Sequence, residues 1–356
     1  MATLAPRSTS AAPSSDTPSV NDGWTLEVEG LWRGHAAVAA KADVVFIHGL
    51  GAHWEHTWRH PTASDSWMKW LGRDLDCVNV YAMDYAVAKS KWKGIAWPLE
   101  DRAENMLLTL QHGLKGHLPL VLIGHSMGGL HLKKMIEIAS QSGARPEWQA
   151  IIERVQGIAF FATPHQGSDI ASWVDMLPRF LLRPTVAIEG LRAHALKLRE
   201  LAERFRSFVT KRRTPLVAFH ETERTARGNL LGRLFKVMVV DEDSANPNID
   251  GVPCIGATGD HSAMCRFIDE KRLAYRETSM NVAGMATVIA VKWAALVMRG
   301  IGRPGSAVLG HSAVLSATPL QAAAAVLGKI DSTNFYALGI RPNPRFVGRE
   351  DKLQEL

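Results

Sequence analysis

Short apolar runs alternate with longer stretches of helical periodicity from Trp24 onward. The short runs are rich in β-branched residues, whereas the longer stretches repeat apolar residues three and four positions apart. Runs this apolar imply strands that are buried on both faces. The pattern predicts an α/β fold, with a mostly parallel central sheet and helices on both of its faces. We expect strands at 25–29, 43–47, 77–82, 119–123, 155–161, 215–219 and 236–240, and helices at 64–72, 98–113, 129–141, 146–153 and 262–276.

Three stretches depart from this alternation. Residues 1–23 are rich in Ser, Ala, Thr and Pro and predict a disordered tail. Residues 168–213 replace the alternation with helical sequence whose second half is basic, which indicates an inserted helical cap. Residues 279–356 contain small apolar residues with few strand signals and predict a helical, partly apolar C-terminal extension. The α/β domain itself is expected to span residues 24–278.

Composition narrows the expected environment and partners. The formal charge of +6 among 356 residues favours anionic surfaces such as phospholipid headgroups, but no basic tract is typical of a nucleic-acid-binding arm. We therefore expect no nucleic-acid partner. The three cysteines, Cys77, Cys254 and Cys265, are too few and too scattered for a disulfide framework. A cytoplasmic protein fits best, with association at a membrane surface through the basic cap and the apolar extension as an open alternative.

A strand, a sharp turn and a helix surround one serine. The predicted strand 119–123 leads into Gly124-His125-Ser126-Met127-Gly128, and a predicted helix follows. A serine hydroxyl is a poor nucleophile at neutral pH, so an enzyme exposes it at a tight turn and supplies a base. This context turns the Gly-x-Ser-x-Gly pattern into a nucleophile elbow, and Ser126 is the expected nucleophile.

A second glycine-rich turn follows the predicted strand that ends at Ile47. The run His48-Gly49-Leu50-Gly51 would direct a backbone N–H towards the space above the serine. Together with the N–H of Met127, the Leu50 N–H would form a two-donor oxyanion hole. A plain turn at the end of a strand is the alternative.

The remaining parts of a catalytic triad come later in the chain. A nucleophile elbow on such a sheet is typical of the α/β-hydrolase fold, in which serine, acid and histidine follow in that order. His261 precedes the last predicted helix of the domain and is the expected base. Glu221 follows the strand 215–219 and is the preferred acid, whereas Asp241 and Asp243 follow the next strand and remain alternatives. Asp260 is too near His261 in sequence to orient its ring.

Two clusters of residues follow the glycine-rich turn at residues 48–51, called the oxyanion turn below, and each allows more than one interpretation. His53, His56 and His60 have spacing that could place zinc ligands on a helix, but no Cys or carboxylate pattern completes such a site. We therefore expect no metal and interpret them as polar residues at the mouth of a cleft. Tryptophans are also concentrated here, and they indicate either core packing or an aromatic surface suited to an acyl chain. They are Trp54, Trp58, Trp67, Trp70, Trp92 and Trp97.

Taken together, the motifs resemble those of a known group of proteins. They are Phe46-Ile47-His48-Gly49-Leu50-Gly51, Ile123-Gly124-His125-Ser126-Met127-Gly128-Gly129-Leu130, Phe161-Ala162-Thr163-Pro164-His165-Gln166-Gly167-Ser168, Val239-Val240-Asp241-Glu242-Asp243-Ser244-Ala245 and Asp260-His261. The set, across about residues 40–275, is similar to the lipase-like α/β-hydrolases around the serine-active-site-containing-protein family and the GPI inositol-deacylase-like group. The resemblance implies an esterase or lipase acting on lipid esters. It supports Ser126 and His261 as catalytic, and Leu50 and Met127 as oxyanion donors.

These observations predict a serine hydrolase that cleaves carboxylic esters, of lipids or phospholipids, through an acyl-enzyme and without a metal or organic cofactor. Two alternatives stay open. One is a non-catalytic module of the same fold that binds a lipid or a partner protein. The other is a different hydrolase, a thioesterase or an esterase for small esters, because a fold does not determine its substrate.

Overall fold

A computed structural model describes residues 23–49, 53–85, 99–165, 195–228 and 234–284 of the chain. Two of the predicted segments lie almost entirely outside these residues. They are the N-terminal tail and the C-terminal extension, of which only residues 23 and 279–284 are described.

Eight strands form one twisted sheet in the order β1-β2-β4-β3-β5-β6-β7-β10. The β1-β2 and β2-β4 pairs are antiparallel, and every pair from β4 to β10 is parallel. Strands β8 and β9 form a separate antiparallel hairpin. The strands are β1 (Thr25–Val28), β2 (Leu31–His35), β3 (Ala42–Ile47), β4 (Val78–Met83), β5 (Leu120–His125), β6 (Val155–Phe161), β7 (Leu216–Glu221), β8 (Thr225–Gly228), β9 (Leu234–Val237) and β10 (Cys254–Ala257).

Helices cover both faces of this sheet. Side chains of β3 alternate between two core layers, with Val44 and Phe46 in one layer and Val45 and Ile47 in the other. The first layer includes residues of α1 and α2, and the second includes residues of α3, α4 and α5. The helices are α1 (Trp54–Trp58), α2 (Trp67–Leu75), α3 (Leu99–Gly113), α4 (Met127–Ala139), α5 (Pro146–Glu153), α6 (Ala195–Arg212) and α7 (Glu242–Ala245), followed by helical residues 273–284.

The predicted fold class is confirmed, because the sheet is mostly parallel and both faces carry helices. The strand predicted at 236–240 is displaced, since β9 spans Leu234–Val237 and residues 238–240 are not in a strand. Three further strands were not predicted. Strand β2 carries Arg33, Gly34 and His35, which interrupt any apolar run, and β8 and β10 have only four residues each. Such short strands are held by their neighbours in the sheet rather than by their own sequence.

The helix predicted at 262–276 is wrong over most of its length. Residues 261–265 form turns, and the helix begins only at residue 273. The carboxylate of Asp260 accepts hydrogen bonds from the backbone N–H groups of Ser262 (3.0 Å) and Ala263 (2.9 Å) and thereby closes a turn. The later helix runs across the domain boundary that was predicted after residue 278.

The basic half of the predicted cap covers the sheet instead. Helix α6 packs against α4 and buries one apolar face of residues spaced three and four positions apart. That face consists of Leu198, Leu201, Phe205 and Val209. The second half of the predicted cap is thus a helix packed on α4, whereas residues 166–194 lie outside the described residues and the cap stays a prediction.

The tryptophans near the oxyanion turn that the structure describes belong to the core. Trp58 and Trp67 have no exposed surface, and Trp54 and Trp70 are 6% and 8% exposed. The Trp58 and Trp67 rings pack edge-on against Phe46 at 5.2 and 5.0 Å between centroids. For these four residues the interpretation as an aromatic surface is wrong, while Trp92 and Trp97 lie outside the described residues.

Within the described part of the chain, no helix has the length and apolar character needed to cross a membrane.

Candidate active site

Three polar side chains come together at the carboxyl ends of neighbouring parallel strands. Ser126 follows β5, Glu221 ends β7, and His261 lies in the loop after β10. Strands β7 and β10 are paired, with Glu221 opposite Ala257, so the loop after β10 lies next to the glutamate. Ligands and substrates of open α/β sheets bind at this edge.

Ser126 lies at a strained turn between β5 and α4. Its φ of 52° and ψ of −122° belong to a region that residues with a side chain rarely adopt. Its backbone N–H donates to the Phe161 carbonyl at 2.8 Å, and its carbonyl accepts from the Gly129 N–H at 3.0 Å and from Thr163 Oγ1 at 3.2 Å. These bonds to a neighbouring strand end and to the helix hold the turn in place.

The glycines of the elbow are required because backbone passes close to them. A Cβ atom on Gly128 would lie 2.4 Å from the carbonyl oxygens of both Ile47 and His48. A Cβ atom on Gly124 would lie 2.8 Å from the Cα of Gly129. Each of these contacts is with backbone, which cannot move aside as a flexible side chain can, so only glycine fits.

The serine is in direct hydrogen-bond contact with a histidine. His261 Nε2 lies 2.9 Å from Ser126 Oγ, although the two residues are separated by 135 positions in the sequence. With Nε2 unprotonated, the Ser126 hydroxyl donates to it, and Nδ1 carries the proton on the other side of the ring. This is the arrangement in which a histidine can act as general base for the serine.

A buried glutamate lies behind the histidine. Glu221 has no exposed surface, and its Oε2 is 3.4 Å from His261 Nδ1. Its other oxygen, Oε1, accepts hydrogen bonds from the backbone N–H groups of Val239 and Val240, the latter at 2.7 Å. The two backbone donors fix the carboxylate so that Oε2 is directed at the ring, where it can orient the imidazole and stabilise its charged form.

The other candidate acids have different roles in the structure. Asp241 is exposed and caps α7, where its side chain accepts from the Ser244 N–H at 2.9 Å. Asp243 is an exposed residue within the same short helix. The structure therefore brings Glu221 to His261, and it does not bring Asp241 or Asp243 there.

Only part of the predicted oxyanion hole can be described. Met127 is the first residue of α4, where backbone N–H groups have no acceptor within the helix and the helix dipole favours negative charge. Gly49 approaches Ser126 so closely that a Cβ atom on it would lie 3.1 Å from Ser126 Cβ. The start of the predicted oxyanion turn is therefore beside the serine, but Leu50 itself lies outside the described residues.

Aromatic and polar contacts fix the start of the oxyanion turn. His48 Nδ1 bonds to the Gly49 carbonyl at 2.8 Å, and the Tyr85 hydroxyl donates to the His48 carbonyl at 2.5 Å while the two rings stack. Asp84 lies 3.5 Å from both His48 Nε2 and His53 Nε2. Burial raises the pKa of Asp84, but the contacts with His48 and His53 outweigh it and leave that pKa below its ordinary value.

The histidines with zinc-like spacing take part in local contacts instead. His53 accepts from the Glu55 N–H at the start of α1, and burial lowers its pKa. His60 Nδ1 lies 2.8 Å from Thr62 Oγ1. Among the described residues, no group of three or more His, Cys, Asp or Glu side chains is arranged to hold a metal ion.

Several groups that complete the site have no signature in the sequence. The Val239 and Val240 donors are backbone groups, and any residue other than proline supplies one. Thr163 supports the Ser126 carbonyl from a turn 37 residues away. Thr163, Val239 and Val240 all fall within the motifs on which the resemblance rests. The sequence therefore pointed to these segments of the chain, but not to the contacts that the three residues make.

The fold and this strand-edge site are those of a hydrolase family. Residues 44–245 match the family model described as "Alpha/beta hydrolase family", and the chain belongs to that family. Among curated proteins it is similar to Protein SERAC1 of Bos taurus, with 30% identity over 262 residues that cover 67% of this chain and 38% of the relative. Protein SERAC1 of Homo sapiens is 29% identical over 259 residues, with the same two shares. The chain thus spans about two fifths of the length of these relatives.

Solved structures also resemble this chain. A lipase-esterase related protein from Clostridium acetobutylicum is 12% identical, has a TM-score of 0.43, and is matched over 72% of this chain and 98% of its own. A membrane phospholipase A described as a bacterial virulence factor is 15% identical, has a TM-score of 0.37, and is matched over 73% and 82% of the two chains. The lipase-like α/β-hydrolase resemblance is confirmed at the level of the family. The narrower assignment, to the serine-active-site-containing-protein or GPI inositol-deacylase-like group, stays a prediction.

Proposed function

We propose that this protein is a serine hydrolase that cleaves carboxylic esters through an acyl-enzyme. The observation that carries the proposal is the continuous contact from Ser126 Oγ to His261 Nε2 at 2.9 Å and from His261 Nδ1 to Glu221 at 3.4 Å. Membership of the α/β hydrolase family supports it. The strained turn at Ser126 supports it further, because such strain is concentrated at functional residues.

In the first half of the reaction Ser126 Oγ attacks the ester carbonyl carbon, and its proton passes to His261 Nε2. The oxyanion that forms is held by the N–H groups of Met127 and Leu50. As the carbon–oxygen bond of the ester breaks, the leaving alkoxide takes the proton from Nε2. Glu221 stabilises the imidazolium in between, and an acyl group remains on the serine oxygen.

In the second half water repeats the steps. His261 Nε2 takes a proton from the water as its oxygen attacks the acyl carbon, and the returning serine oxygen recovers that proton. A carboxylic acid leaves and the enzyme is regenerated. No redox step occurs, and all atoms come from the ester, the water and the residues named.

We further propose that the ester belongs to a lipid, and that a phospholipid is the favoured class. The proposal is supported by the lipase-like motifs around Ser126 and by the formal charge of +6, which favours anionic lipid surfaces. The four buried tryptophans give it no support, because they are committed to the core.

The substrate proposal is tested with the wild type and with Ser126→Ala as the matched control. Both proteins are incubated with a lipid extract, and both are assayed with p-nitrophenyl esters from acetate to palmitate and with phospholipid vesicles. We expect free fatty acid and a lysolipid or deacylated lipid with wild type alone, and a preference for long acyl chains. Activity limited to acetate, or faster turnover of a matched thioester, would contradict the lipid-ester assignment and leave the hydrolase assignment intact.

A further inference from the structure

The loop that carries His261 is held at both of the backbone groups of that residue. The His261 carbonyl accepts a hydrogen bond from His125 Nε2 at 2.8 Å, and the His261 N–H donates to Thr225 Oγ1 at 3.2 Å. His125 and Thr225 lie on different elements, at the end of β5 and at the start of β8. Two side chains from separate parts of the chain therefore hydrogen-bond to the backbone of one residue.

His125 is built into the elbow itself. It immediately precedes Ser126, is 6% exposed, and packs edge-on against Trp58 with 6.1 Å between ring centroids. On its other side Gly49 is so close that a Cβ atom there would lie 3.1 Å from His125 Nδ1. The ring thus lies between the oxyanion turn, the nucleophile and the loop of His261.

The chemistry of this contact determines which tautomer the ring adopts. A carbonyl oxygen only accepts hydrogen bonds, so His125 Nε2 must carry the proton. Burial, together with the neighbouring His261 ring, lowers the pKa of His125 to about 3. The ring is therefore a neutral, fixed donor at any pH at which an ester hydrolase works.

Other hydrogen bonds hold the loop on either side of His261. The Gly259 carbonyl accepts from the Thr222 and Glu223 N–H groups at 3.3 and 3.1 Å, and these bonds fix the start of the loop. Asp260 closes the turn that follows. His261 itself lies between these two supports, and its carbonyl and N–H are held by His125 and Thr225.

We infer that His125 and Thr225 are positioning residues that clamp the backbone of His261 and so set the distance between its Nε2 and Ser126 Oγ. The inference rests on the proposed function. Because His125 is bonded covalently to Ser126, the nucleophile and its base are tied to the same strand end. A shift of about 1 Å between reacting groups can cost about 100-fold in rate, so a clamp of this kind has a measurable effect.

The test measures the second-order rate of fluorophosphonate labelling at Ser126. In His125→Gln the amide nitrogen of the side chain can replace Nε2 as donor, whereas His125→Phe keeps the ring shape and loses the donor. We expect a loss of about 100-fold in His125→Phe and recovery to within about tenfold of wild type in His125→Gln. His131→Phe is the matched control, because His131 is an equally buried histidine of α4, and its labelling rate should stay within about threefold.

A double-mutant cycle separates positioning from general damage to the site. A residue that acts through His261 loses its effect once His261 is gone, so His125→Phe should change the residual labelling of His261→Ala by less than about threefold. An equal loss with and without His261 would overturn the inference. In steady-state assays kcat should fall while KM stays constant, because the clamp does not contact substrate.

Thr225 provides an independent pair for the case in which His125→Phe does not fold. Thr225→Ser keeps the oxygen that accepts from the His261 N–H, and Thr225→Val keeps the shape and removes the oxygen. We expect Thr225→Val to label about tenfold more slowly than Thr225→Ser, and equal rates would overturn the inference. If folded wild type fails to label, the proposed function itself fails. If wild type labels, and His125→Phe (donor removed) and Thr225→Val (acceptor removed) label as fast as His125→Gln and Thr225→Ser, only the clamp is wrong.

Discussion

The nucleophile elbow and the loop of His261 meet at one hydrogen bond, but they are built in opposite ways. The elbow carries a local sequence signature, in the glycines at positions 124, 128 and 129 and in the strand and helix on either side of Ser126, although neighbouring strand ends also enclose it. The loop of His261 is held from a distance, by His125, by Thr225 and by the indole of Trp67, which donates to the Cys265 carbonyl across 198 positions. The local motif can be recognised in a sequence, whereas the remote contacts that hold the loop cannot.

The largest expected effect concerns Glu221, the proposed catalytic acid behind His261. Glu221→Gln should reduce kcat by about 10⁴-fold, because an amide in place of the carboxylate no longer stabilises the imidazolium. Asp241→Asn is the control, since Asn caps a helix as well as Asp does and should leave both kcat and Tm unchanged. Initial rates at saturating ester give kcat for each variant, and thermal unfolding gives Tm. A greater loss of kcat in Asp241→Asn than in Glu221→Gln would mean that the acid has been assigned to the wrong residue.

The next effect tests how tightly the elbow packs against the neighbouring strand end. Gly128→Ala places a methyl group 2.4 Å from two backbone carbonyl oxygens, and the elbow must distort to admit it. We expect a loss of about 1 to 3 kcal/mol in the free energy of unfolding and loss of labelling at Ser126. Urea unfolding and the fluorophosphonate rate measure the two effects. Wild-type labelling in this variant would show that the elbow is more tolerant than its contacts indicate.

A smaller effect tests the remote support of the loop. Trp67→Phe removes the indole N–H that donates to the Cys265 carbonyl at 2.8 Å, and kcat/KM should fall about three- to tenfold. Trp70→Phe serves as the control, because Trp70 lies on the same helix and packs on Tyr275. Equal effects of the two substitutions would indicate a general loss of packing and no specific support of the loop.

A further effect, seen only at acid pH, is on the stability of the protein. Burial lowers the pKa of His125 and of His131 to about 3, against 6.5 when unfolded, so the folded state excludes protons that the unfolded state binds. Stability should therefore be complete above pH 6.5 and fall as the pH drops from 6.5 towards 3. His131→Phe should take up about one proton fewer on unfolding in this range, and its free energy of unfolding should depend less steeply on pH. An unchanged slope would show that His131 is not held neutral.

The same contrast explains how much the sequence could predict. The parallel strands β3, β5 and β6 are continuous apolar runs, and their predicted positions match the observed ones within two residues. The helix expected after His261 was misplaced because Asp260 closes a turn there, and periodicity does not register such a cap. The basic helix α6 was expected within a cap, because its sequence is helical and rich in Lys and Arg, and the structure shows that it also has a buried apolar face. Residues 166–194, where the rest of the cap was expected, lie outside the described residues.

Within the site, residue type and chain order led to Ser126, His261 and Glu221, and the structure brings these three side chains into contact. The choice of Glu221 over Asp241 and Asp243 could not be made firmly from sequence, because all three follow strands. Burial separates them, since Glu221 is enclosed and the two aspartates are exposed. The supporting groups His125, Thr225 and Val240 were not predicted as such, because each acts through a backbone group or on one.

Ser126 is the proposed nucleophile, and covalent labelling tests this role most directly. Folded wild-type protein is treated with a fluorophosphonate, and the adduct is located by intact mass and by peptide mapping, with Ser126→Ala and His261→Ala in parallel. We predict one adduct per chain, on the peptide that contains Ser126, with no labelling of Ser126→Ala and much slower labelling of His261→Ala. An adduct on another residue, or no adduct on correctly folded wild-type protein, would contradict the account.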